Sequence, residues 1–79
     1  MQNTNQIALM DLKPGESATI LALNDTRQVT SRLVSLGFTP TARVAMTQNY
    51  GHGPLIVTVR GTRVALGRGE AASISVCRA

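Results

Sequence analysis

One histidine, one cysteine and four carboxylates are the groups in this 79-residue chain with the reactivity to run a reaction, and their placement argues against one. A nucleophilic Ser or Cys needs a base within reach. His52 sits in the glycine-rich stretch Gly51-His52-Gly53-Pro54, and no motif ties it to Cys77. General acid–base work needs a poised pair of carboxylates, yet Asp11, Glu16, Asp25 and Glu70 are scattered among turns and helix caps. Metal ligation needs closely spaced His, Cys or carboxylates; the chain contains no CxxC, HxxxH or DxD. The segment from Gly61 to Gly69 is glycine-rich and basic but lacks both GxxxxGK[ST] and GxGxxG, so hairpin and strand-end glycines explain it better than phosphate binding. The reading is a non-enzyme with no cofactor and no metal site of its own.

What remains is charge. Seven arginines and one lysine face the four acids, a net charge of +4. Such an excess suits nucleic acid, anionic lipid or an acidic protein. Single-strand recognition leans on exposed aromatic platforms, and the chain offers only Phe38 and Tyr50. The arginines are also spread out, with Arg27 and Arg32 on one expected helix, Arg43 on a strand, and Arg60, Arg63 and Arg68 around an expected hairpin. Nucleic acid is therefore the less favoured partner. The trio Arg60, Arg63 and Arg68 is the candidate docking patch, and the segment Leu36-Gly37-Phe38 is the alternative.

The elements that must hold these residues follow from spacing. The chain is one domain with a small core, since about 60–65% of the unfolded surface is buried at this length. Residues 1 to 8 are polar and amide-rich and read as a loose tail, leaving a domain over 9–79. Asp11-Leu12-Lys13-Pro14-Gly15-Glu16 is a turn. Ser17 to Leu23 reads as a strand apolar on both faces, which predicts an element packed on its outer side. A helix follows, capped by Asn24 or Asp25 with Gln28 completing an approximate capping box. Its apolar stripe is Val29, Leu33 and Leu36; Gly37 is the expected left-handed C-cap and Pro40 prevents resumption. Ala42 to Tyr50 and Leu55 to Arg60 alternate as strands. Gly61-Thr62 fits a type II′ hairpin turn, which would set Arg60 opposite Arg63 and Val59 opposite Val64. A helical turn over Glu70 to Ala72 and a strand over Ser73 to Cys77 complete the set. The expected core is Ile20, Leu33, Leu36, Val44, Val57, Val59, Val64, Leu66, Ile74 and Val76. Five short strands and little else predict a mainly β domain with one or two short helices, closed or half-closed as a small barrel.

Several of these residues together resemble a known family. Leu12-x-x-Gly15, the helix exit Arg32-Leu33-x-x-Leu36-Gly37-Phe38-x-Pro40, Val44, Gly53-Pro54-Leu55 and Val59-x-Gly61 into Ala65-Leu66 are similar to FeoA, the small bacterial ferrous-iron transport proteins of SH3-like barrel fold. One departure is Thr41, where such proteins usually place Gly, so the turn into the next strand is expected to differ slightly. The resemblance implies an accessory protein that docks on the cytoplasmic side of a membrane ferrous-iron transporter carrying a GTP-binding domain. It implies no catalytic residue. The same domain resembles the SH3-like domain of iron-dependent repressors, so a basic barrel binding RNA or DNA, or a regulatory domain, is the alternative. No basic stretch with an apolar run opens the chain, and none approaches the roughly 20 apolar residues of a membrane span. The expected place is the cytoplasm, with recruitment to the membrane by the partner, no direct insertion, and a homo-oligomer left open.

Overall fold

The turn Lys13-Pro14-Gly15-Glu16 starts the main meander in the way its residues dictate. Pro14 presets φ, Gly15 takes φ +90°, and the Glu16 N–H donates to the Lys13 carbonyl at 3.0 Å. The computed structural model describes residues 5–78. Over them run β1 (Gln6–Ala8), a 3-10 turn (Leu9–Asp11), β2 (Ser17–Leu23), α1 (Arg27–Ser35), β3 (Arg43–Gln48), β4 (Leu55–Val59), β5 (Thr62–Leu66), α2 (Arg68–Ala72) and β6 (Ile74–Arg78). The strands form one antiparallel sheet in the order β1-β6-β2-β3-β4-β5.

Two expectations change here. The sheet is mainly β with two short helices, as predicted, but it is not a closed barrel: among the described residues β1 and β5 are its two edges. Nor is the stretch just before residue 9 a loose tail. Gln6, Ile7 and Ala8 pair with Cys77, Val76 and Ser75, because Ile7 can join the core beside Val76. Residues 1–4 lie outside the described residues.

The core gathers Leu9, Leu12, Ile20, Leu33, Phe38, Val44, Met46, Leu55, Val57, Val59, Leu66, Ala71, Ile74 and Val76, all essentially inaccessible to solvent. Two predicted members differ. Leu36 is 36% exposed because it is the C-cap residue, past the last turn that faces the core. Val64 is half-buried because β5 has a neighbouring strand on one side only. Leu9, Leu12, Phe38, Met46, Leu55 and Ala71 are additions to the expected core; Leu9, Leu12 and Phe38 lie in turns and connections, which follow no strand or α-helix period.

The apolar outer face of β2 has a different solution from a covering helix. A bulge between Ile20 and Ala22 shifts the register, so Ile20 pairs with Val76 and Leu23 with Ile74. The extra residue turns Leu23 back toward the core and leaves Leu21 exposed. Helix α1 docks instead through Leu33 and Val29, which join the same core. Its N-cap is Thr26 rather than Asn24 or Asp25: the Val29 N–H donates to Thr26 Oγ1 at 3.3 Å, and Asp25 Oδ1 accepts from the Thr26 N–H.

Candidate protein-interaction surface

Where α1 ends, the backbone forms the arrangement that Gly37 makes possible. Phe38 N–H donates to Leu33 O and Gly37 N–H to Val34 O, both at 3.0 Å, with Gly37 at φ +105°. This is the six-to-one and five-to-two bonding of a Schellman cap, and the fully buried Phe38 and Leu33 supply its apolar accompaniment. Phe38 is thereby removed from the candidate contact residues, because a side chain with no exposed surface cannot meet a partner. Leu36 and Val34 stay on the outside, at 36% and 42% exposure.

The chain next turns through Thr39-Pro40-Thr41-Ala42, with the Ala42 N–H donating to the Thr39 carbonyl at 3.0 Å. Thr41 takes φ +74°, the conformation that the third residue of a type II turn requires. A β-branched residue thus holds the left-handed conformation that glycine adopts without strain.

The hairpin between β4 and β5 corrects the predicted register. Val59 pairs with Thr62, Thr58 with Arg63, Val57 with Val64 and Leu55 with Leu66. The turn residues are therefore Arg60-Gly61, both with positive φ (51° and 77°), as a type I′ turn demands. Gly at the second central position was the available signal; Arg at the first hid it, since that place favours Asn, Asp or Gly. Arg60 does not oppose Arg63, so the expected like-charge pair is absent. The inward faces survive the change, because pairing shifted by two residues preserves a period of two.

The six candidate residues are divided by this geometry. Arg60 leans on the helix exit: an added Cβ at Gly37 would lie 3.1 Å from Arg60 Cδ, and Arg60 Nη2 donates to Thr39 Oγ1 at 3.0 Å. Arg60, Gly37 and the exposed Leu36 thus belong to one corner, so the two rival docking sites share a residue. Arg63 is exposed on the outer face of β5. Arg68 lies beyond the other end of β5, at the start of α2. Its guanidinium is engaged, with Nη1 donating to Gly53 O and Nη2 to Asn49 Oδ1, both at 3.1 Å. Asn49 also donates to Met10 O and Leu12 O and accepts from the Gly51 N–H. Arg68 is thus a brace for the loop that presents Tyr50, which is 72% exposed.

Two carboxylates are already committed. Glu70 pairs with Arg32 across the two helices, and Glu16 pairs with Arg78 at 3.2 Å. The Arg32 hydrogen bond, helped by the Gly67 N–H, holds the Glu70 carboxyl below the usual carboxylate range. The Lys13 backbone N–H, with Arg78, does the same for Glu16. Among the described residues Arg27, Arg43, Arg60 and Arg63 have no acidic partner. His52 is exposed, while Cys77 is half-buried on β6 opposite Gln6 and Thr19. No three of His, Cys, Asp or Glu among the described residues come close enough to hold an ion. No helix of the described residues is long and apolar enough to cross a membrane.

Comparison with known proteins gives this arrangement a setting. A family model described as the FeoA domain matches residues 7–78. A crystal structure of an iron uptake regulatory protein (FeoA) superposes with a TM-score of 0.89 at 28% identity, covering 94% of this chain and 99% of that one. A Stenotrophomonas maltophilia FeoA complexed with zinc shares 33% identity over 86% of each chain, with a TM-score of 0.78. That protein is described as a procaryotic SH3 domain protein and a candidate ferrous iron transport activating factor. A manganese-dependent transcriptional repressor matches in fold, with a TM-score of 0.84 at 21% identity over 94% of this chain and 42% of its own. No curated protein sequence matches the chain.

Proposed function

The chain belongs to the FeoA family, which is associated with ferrous iron transport, and on this premise we propose that it is a non-catalytic accessory of ferrous-iron uptake. It acts by docking on the cytoplasmic side of a membrane iron transporter that carries a GTP-binding domain. The observation that carries the docking half of this reading is the set of uncompensated arginines. Both ion pairs found among the described residues absorb an acid, while Arg60 at the helix-exit corner and Arg63 on the outer face of β5 have none. Arginine on a fixed backbone suits bidentate capture of carboxylates on a partner. The exposed Leu36 in Arg60's corner adds apolar area of the kind that forms an interface centre.

The test is capture of tagged full-length protein on membranes bearing the transporter, washed across a salt series. Charge reversal at Arg60 and Arg63 together should weaken capture and reduce the salt sensitivity of what remains, and Arg63→Glu alone, which breaks no bond to Gly37 or Thr39, should weaken it in the same direction. Arg68 is omitted because its reversal would also release the Asn49 loop. Parental capture and parental iron-dependent growth by the reversed protein would place the docking face elsewhere. Capture lost to competing RNA but not to membranes lacking the transporter would favour the nucleic-acid reading instead.

A further inference from the structure

We propose that the free edge of β5 accepts an extended segment in which acidic and apolar residues alternate, added antiparallel as a seventh strand. The proposal rests on the accessory reading for where such a segment comes from, and it names the contact mode of the same surface.

In a two-residue hairpin the residues flanking the turn exchange both backbone hydrogen bonds, and every second pair along the ladder repeats this. Here the bonded pairs are Val59 with Thr62, Val57 with Val64 and Leu55 with Leu66. The backbone N–H and C=O groups of Arg63 and Ala65 therefore point away from β4, along an edge that no described strand covers. Both residues are exposed. The opposite edge, β1, is only Gln6–Ala8. The edge of β5 is thus a template for strand addition, guarded by one charge.

The side chains on β5 choose the occupant. Arg63 points to the outer face without an acidic partner, so the residue set against it gains from being Asp or Glu. Val64 points inward and packs on the core, yet stays half-buried for want of a second neighbouring strand. An apolar residue opposite Val64 would finish covering it. A second copy of this chain fits poorly, because two copies of β5 paired antiparallel through Arg63 and Ala65 would set their arginines directly opposite or diagonal on one face. Two chains of charge +4 also repel.

The experiment titrates isotope-labelled full-length protein with a blocked octapeptide of alternating Val and Glu, and with its Val–Lys counterpart, following backbone amides by NMR and hydrogen exchange. The Val–Glu peptide should shift Arg63 and Ala65 and slow their exchange, while the Val–Lys peptide should not. Arg63→Glu should weaken binding by about tenfold, and Arg63→Gln by less. Ala65→Pro should abolish it and keep the fold, since proline is tolerated where a strand N–H faces solvent. The assignment is overturned by absence of Val–Glu binding, by shifts that map to β1 or to the Arg60 corner, by binding that survives Ala65→Pro, or by self-association through β5. Because the peptide arm uses no transporter, its outcome is separate from membrane capture. Peptide binding without capture would overturn the accessory reading alone, and capture without edge protection the strand assignment alone.

Discussion

The Arg60 side chain lies along Gly37, and a single added methyl on that glycine would come within 3.1 Å of Arg60 Cδ. Two left-handed residues from distant parts of the chain, the cap of α1 and the first turn residue of the β4–β5 hairpin, are therefore fitted to each other. The Arg60 bond to Thr39 Oγ1 closes the same corner. Arginine has no local reason to adopt φ +51°, a conformation that costs an L-residue roughly 1–2 kcal/mol. The contacts with Gly37 and Thr39 offset that cost.

Gly37→Ala should accordingly destabilise twice over, by backbone strain of about 1–2 kcal/mol and by collision with Arg60. Chemical denaturation of Gly37→Ala, Arg60→Ala and the double variant measures the second part. The cycle should show coupling of at least about 0.5 kcal/mol, with Arg60→Ala partly relieving Gly37→Ala. Strict additivity would mean that the two residues do not sense each other.

Thr41→Gly should stabilise the protein. The left-handed conformation costs a β-branched residue roughly 1–2 kcal/mol, and glycine's greater freedom in the unfolded chain returns about 0.5–1 of that. A net gain of about 0.5–1 kcal/mol should appear as a higher thermal midpoint. A lower one would show that the Thr41 side chain makes a contact worth more than the strain.

Leu33→Ala and Leu36→Ala separate the buried part of the α1 stripe from its exposed end. Leu33 has no accessible surface, so its truncation should cost about 2–4 kcal/mol in lost transfer energy and cavity formation. Leu36, at the C-cap, should cost under about 1 kcal/mol. Equal losses in denaturant melts would return Leu36 to the core.

Glu70 links stability to pH. Its folded-state carboxyl titrates below its unfolded value because Arg32 and the Gly67 N–H favour the charged form. The stabilisation is therefore complete above the ordinary value of 4.5 and disappears as pH falls through the lowered folded value. Glu70→Gln should be less stable than the parent at pH 7, and the gap should narrow steadily below pH 4.5. Because Arg32 is half exposed, added salt should narrow it as well. A gap that widens on acidification would contradict the assigned pairing.

Much of the fold was legible in short stretches of sequence because its causes are local. Pro14-Gly15 makes a turn wherever it lies, and Gly37 followed by Pro40 stops a helix without help. The alternation Leu55, Val57, Val59 marks an inward face whatever the pairing, and those three residues are indeed buried. The family resemblance was legible for the same reason, since its distinctive residues are the helix exit and the turns. Tertiary structure alone decided what depends on partners remote in sequence. The open sheet, the bulge that returns Leu23 to the core and the use of Gln6–Ala8 as a strand all follow from which strands found neighbours. So does the fate of the three candidate arginines. Their sequence spacing suggested one patch, but the Arg60-Gly61 turn sent Arg60 to the helix exit, and Asn49 drew Arg68 into the loop. Arg63 was left alone on an edge strand. A charge's neighbours are set by the packing of backbone that carries no charge, and no local pattern records that.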